Sequence, residues 1–143
     1  MNQFIFKYKP FFIFLVILLL IYLTPAILIS MQMNKLIEAS NADLVGENPY
    51  TDLISNENFD RLCYRDRGPW AEKNEGSYYL KELMFRTPVV TVHWFSGAKS
   101  YYIYTYEISN EYKTIRGSWN IPVTITSKLQ KGKWVVTNVF EPA

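Results

Sequence analysis

The run YYIYTYEI, residues 101–108, places four tyrosines and two isoleucines in eight positions. Successive side chains of a β-strand point to opposite faces, so parity divides the run. Tyr102, Tyr104, Tyr106 and Ile108 share one face; Tyr101, Ile103, Thr105 and Glu107 share the other. The row at 102, 104 and 106 has two readings. It lines a core with its hydroxyls reaching the rim, or it floors a concave ligand pocket together with Trp94 or Trp119. A single-stranded nucleic-acid platform also needs basic tracks beside its aromatic residues, and no Lys/Arg cluster flanks this strand.

Outward from this run, the period of two extends from Pro88 onward. Strands are expected at 89–95, 100–109, 118–129 and 133–140, separated by Ser96-Gly97, by residues 110–117 and by Lys131-Gly132. The last break has the length of a tight hairpin turn. Four consecutive strands with short links favour an antiparallel meander. Pro122 lies inside the third strand and cannot donate a ladder hydrogen bond, which predicts an edge or a bulge there.

Upstream, the pattern turns helical. In SNENFDRLCYRDRG, residues 55–68, Phe59, Leu62 and Cys63 fall at i, i+3 and i+4, with Ser55 or Asn56 as N-cap and Gly68-Pro69 closing the run. The segment SYYLKELMFR, residues 77–86, places Leu80, Leu83 and Met84 on one helical face. A strand face of Tyr79, Lys81, Leu83 and Phe85 is the alternative.

The first quarter has a different character. No charged residue lies between Lys9 and Lys35, and FFIFLVILLLIYLTPAILI, residues 11–29, is apolar except for Tyr22, Thr24 and Pro25. About 20 apolar residues cross a hydrocarbon layer of about 30 Å as a helix. The run exceeds the 7 to 15 residues of a signal-peptide core, and no Ala-x-Ala follows it. The expectation is an uncleaved anchor spanning residues 11–31, with a cleaved, secreted form as the alternative. Lys7 and Lys9 before the span outweigh Lys35 after it, which sets the N-terminus in the cytoplasm and the rest outside. The helix is expected to continue to Gly46, giving residues 1–46 as anchor and extension and 47–143 as an extracytoplasmic domain.

The net charge of +2 resides in the anchor flank, because residues 35–143 carry 13 basic and 13 acidic side chains. Such a neutral domain has no footprint for nucleic acid. Cys63 is the only cysteine, so stability comes from packing without an intramolecular disulfide. His93, the only histidine, has neither a second histidine nor a cysteine pair to complete a metal site. There is no Gly-x-Ser-x-Gly elbow and no Gly-rich phosphate loop. No cofactor or metal is expected, and no catalytic set is legible. Arg61, Arg65 and Arg67 beside Asp60 and Asp66 read as a solvated, internally paired cluster or as an anion clamp.

Helices followed by strands give an α+β fold, with short helices packed on a curved antiparallel sheet of about four strands. GSWNIPVTITSKLQKGKWVVTNVFEPA, residues 117–143, joins two strands at KGKW and closes on WVVTNVFEP. It resembles the terminal hairpin of bacterial NTF2-like (cystatin-like) cone domains. The resemblance covers residues 88–143 and, loosely, 50–87. It implies a cone carried outside the membrane on one span, as in scaffold subunits of secretion and conjugation systems. It carries over no functional residue. The expected role is a binding or assembly module of an envelope complex, with a protein partner. A small-ligand sensor or enzyme using Tyr102, Tyr104, Tyr106, His93, Trp94 and Trp119 is the alternative.

Overall fold

The computed structural model describes residues 2–42, 48–63, 81–109 and 114–142 of the chain. A single helix, α1 (Asn2–Ala42), takes 41 residues, a length of about 60 Å. From Phe11 to Leu23 all its large apolar side chains are exposed. Beyond Pro25 only one stripe is buried: Ala26, Ile29, Met33, Leu36 and Ile37 recur at helical spacing, while Ile27, Leu28 and Met31 stay exposed. One helix thus has a bare apolar half and a half packed on the domain. It is apolar enough and long enough to span a membrane, and it is the only such helix among the described residues.

Helix α2 (Asn56–Arg61) begins where the sequence places its cap. Ser55 has extended backbone angles and its side chain accepts from the Asn58 N–H at 3.4 Å. Glu57 in the first turn and Arg61 in the last pair at 2.7 Å, complementing the helix dipole. Phe59 and Leu62 are buried, and Cys63 is half-buried. Arg65, Arg67 and Asp66 lie outside the described residues.

Five strands form one antiparallel sheet: β1 (Lys81–Arg86), β2 (Val90–Trp94), β3 (Gly97–Ser109), β4 (Thr114–Gln130) and β5 (Lys133–Phe140). The last four match the expected meander. Strand β1 replaces the helical reading with the strand alternative over residues 81–86, because Lys81–Arg86 pairs with Ser109–Tyr104 of β3; residues 77–80 lie outside the described residues. The reason is the length of β3. Its 13 residues outrun the five of β2, which covers Gly97–Tyr101 only, and the remaining edge recruits β1 against a Lys-Glu-Leu-Met composition that favours helix.

Strands β1 and β2 therefore lie end to end along the same edge, interrupted at Thr87 and Pro88. Pro88 has no N–H for the ladder. Thr87 carries the pairing across the break, its N–H donating to Ile103 O and its hydroxyl accepting from Ile103 N, both at 2.9 Å.

Pro122, paired with Ile103, lies two residues from a bulge and on a stretch of β4 that β5 leaves uncovered. Between the pairs Tyr104–Ile121 and Tyr106–Ser118, Thr105 opposes two residues, Trp119 and Asn120. Asn120 takes the left-handed conformation at φ 52°, and its N–H donates to Thr105 Oγ1 at 3.1 Å. Pairing with β5 begins only at Thr124, so Pro122 faces no partner on that side. The β4–β5 turn is Lys131-Gly132, both with positive φ (49° and 79°), the geometry of a two-residue hairpin that matches strand twist.

The core lies between α1, α2 and one face of the sheet. Tyr102, Tyr104, Val123, Ile125, Val136 and Val139 supply the sheet side, with Met33, Leu36, Ile37 and Phe59 from the helices. Asn41 Nδ2 donates to Ile37 O, Ser40 Oγ and Leu62 O within 3.1 Å, tying the end of α1 to α2. Val136 N–H donates to Leu53 O at 2.7 Å, fastening β5 to the segment before α2.

Candidate functional site

The six aromatic and histidine positions singled out by the sequence separate into four places. Tyr102, Tyr104 and Tyr106 alternate inward along β3 and are 3, 4 and 7 % exposed, in the core under the helices. The opposite row behaves as parity requires, with Tyr101 and Ile103 exposed. At the rim the Tyr104 hydroxyl donates to Glu141 Oε1 at 2.9 Å. Burial, then the bond to that carboxylate, pushes its pKa far above the usual tyrosine value, so the hydroxyl stays protonated.

His93 lies on the inner face of β2 but beyond the core, against the bare apolar half of α1. Its ring stacks on Tyr22, centroids 4.5 Å apart and planes 18° from parallel. Its Nε2 donates to the Tyr22 carbonyl at 2.8 Å. Pro25 lies three residues further along the helix. It offers no ladder N–H to the Ile21 carbonyl, and Thr24 Oγ1 one residue earlier donates back to Leu20 O at 2.8 Å.

Trp94 and Trp119 are on neither of these surfaces. Trp94 points to the outer face of β2 and lies over Gly97, where a Cβ would meet its ring at 2.6 Å. Trp119 occupies the β4 bulge, half exposed. The structure thus gathers the tyrosines, places His93 apart on α1, and leaves the two tryptophans outside. Among the described residues no three His, Cys, Asp or Glu side chains lie close enough to hold a metal ion.

Two contacts escaped sequence reasoning because they join distant segments. Arg86 reaches from β1 to α1, its Nη1 donating to Asn34 Oδ1 at 2.5 Å and its Nη2 lying 3.6 Å from Glu38 Oε1. Ser30 donates to Thr91 Oγ1 at 2.8 Å, and Thr91 shares a 2.7 Å bond with Ser100. These hydroxyls, with Ala26 and Ala98, put small side chains where α1 meets β2 and β3. Small residues at such a contact let backbone elements approach closely.

The outer face of the sheet carries a second continuous feature. Val90, Val92 and Trp94 on β2 adjoin Tyr101 and Ile103 on β3, and Phe140 on β5 lies opposite Thr124 beyond Tyr101. Each of these six apolar side chains is more than 40 % exposed. Isolated exposed apolar residues are ordinary; here six share one face of the sheet. Comparison with protein-family models, with curated proteins and with solved structures returned no match.

Proposed function

We propose that the protein is a single-span membrane-anchored binding or assembly module, with its sheet domain outside the cytoplasm. The carrying observation is that α1 runs unbroken from a bare apolar half into the core of the domain. The sheet is mounted on the helix by the helix's own side chains. A module held in this way presents its outer face at a fixed height and angle to the membrane. The apolar row at Val90, Val92, Tyr101 and Ile103 is the surface that suits a protein partner. The excess of Lys7 and Lys9 before the span supports a cytoplasmic N-terminus.

The likeness to NTF2-like domains belongs to this proposal. A helix lying across a long-stranded antiparallel sheet with a bulge is consistent with a small cone whose inside is filled by tyrosines. In this reading the cone is a scaffold, and its outer surface does the binding.

Two experiments test the proposal together. A reporter fused after residue 142 is expected to be active outside the cytoplasm, and the protein is expected to resist alkaline extraction from membranes. Ile103→Glu is expected to abolish co-purification of the partner that accompanies the wild-type protein, with folding and membrane retention unchanged. A partner held equally well by that variant rules out the outer face as the assembly surface.

A further inference from the structure

We propose that the β2–β3 turn is a second membrane contact, a hairpin tip carrying Trp94 and Phe95 into the outer boundary of the bilayer beside α1. The inference rests on α1 spanning the membrane. It follows from a length mismatch.

From Lys9, the last charge before the apolar run, to Tyr22 is 13 residues, which a helix covers in about 20 Å. A hydrocarbon layer is about 30 Å thick. The helix therefore leaves the layer near Ile29, about 10 Å further on. Tyr22, however, already carries the sheet, because His93 stacks on its ring and bonds its carbonyl. The tip of the hairpin is thus level with a part of α1 that the bilayer must cover. Tilting the helix increases the overlap, and snorkelling by Lys9 on its four-carbon stem reduces it without closing it.

The surfaces at that level have the chemistry of this location. On α1, Ile27, Leu28 and Met31 remain exposed on the side away from the sheet, even though Ala26 and Ile29 are covered. At the tip, Phe95 is fully exposed and Trp94 half exposed, and Leu129 on the adjoining end of β4 is 42 % exposed. Large aromatic residues with no cover are costly in water and favoured at a membrane interface, where Trp and Tyr collect. Tyr22 completes that set.

Part of the tip backbone is paired, as contact with lipid favours. Ser96 O accepts from Leu129 N–H at 2.9 Å, and Trp94 pairs with Gly97 in the ladder. The absent side chain at Gly97 is what lets the Trp94 ring lie flat across the hairpin. Lys99 and Lys128, both exposed, stand one or two ladder steps behind the tip, at the height of lipid headgroups. Cationic side chains there suit an anionic leaflet.

The test uses the full chain in phosphatidylcholine vesicles containing phosphatidylglycerol, in a Cys63→Ser background. An environment-sensitive fluorophore is attached at Phe95→Cys, at Leu18→Cys within the span, or at Asn138→Cys on exposed β5. Quenching by lipids brominated at shallow and at deep acyl positions is then compared. The expected result is strong quenching at position 95 by the shallow label and at position 18 by the deep one, each at least about twofold above position 138. Unlabelled protein retaining Trp94, with Trp70, Trp119 and Trp134 changed to Phe, is expected to show the same shallow quenching of its native fluorescence. Quenching at 18 with positions 95 and 94 as water-exposed as 138 overturns the second contact while leaving the span intact. Absence of quenching at 18 overturns the spanning helix, and the inference with it.

Discussion

Arg86 shows how much of this fold depends on single polar contacts between distant segments. Its guanidinium is mostly buried between β1 and α1, where Asn34 and Glu38 receive it. Arg86→Ala is expected to destabilise the domain by about 1–3 kcal/mol, measured by denaturant unfolding in detergent. Arg86→Lys is expected to recover only part of this, because an ammonium cannot address two acceptors with the planar fork of a guanidinium. The pair Asp52–Lys133, at 2.6 Å, is of the opposite kind, both side chains being largely solvated. Its hydrogen bond to Lys133 still holds the Asp52 carboxyl below the ordinary value. A depressed carboxyl pKa stabilises above its unfolded value and loses that contribution as pH falls through the folded one. NMR titration of Asp52 is therefore expected to move up to the ordinary value in Lys133→Met. None of these pairings was legible in the sequence, since Arg86 and Asn34 are 52 residues apart. The Ser55 cap was legible because it acts on its own neighbours.

At the scale of elements, strand parity read the meander well because burial alternates strictly along β3 from Ser100 to Tyr106. Parity is a local rule. The miss at Lys81–Arg86 came from a non-local cause, the unpaired edge that β3 leaves beyond β2. Pro122 was read from its chemistry alone, and the bulge and the edge both lie beside it. Two substitutions probe packing between elements. Ile37→Ala, on the fully buried stripe of α1, is expected to cost about 2–5 kcal/mol by the same unfolding measurement. Gly97→Ala drives a methyl into the Trp94 ring and is expected to cost about 1–3 kcal/mol. In a Trp94→Ala background the same change is expected to cost markedly less, a coupling that a double-mutant cycle measures directly. Equal costs in both backgrounds place the strain elsewhere in the hairpin.

For the molecule as a whole, composition revealed an apolar helix and a neutral domain, but not that they share a core. The apolar run at 11–29 drew attention to where the helix is bare. What joins helix to domain is a stripe, Ile29, Met33, Leu36 and Ile37, hidden partly inside that run and partly in an unremarkable polar extension. The six candidate site residues scattered for a related reason: spacing along one strand fixes a face, whereas meeting across strands depends on register and on what covers the sheet. The shared core also orders events in time. The partners of that stripe are made late, since β5 closes the sheet with Val136 and Val139, about 100 residues after α1 ends. At about 5–20 residues per second, α1 waits roughly 5–20 s for them, with four large apolar side chains unsheltered. Nascent chains arrested before residue 133 are expected to be cut rapidly by protease within residues 29–42. Chains extended past residue 142 and clear of the ribosome are expected to resist, which makes the protein's vulnerability a matter of how long its synthesis takes.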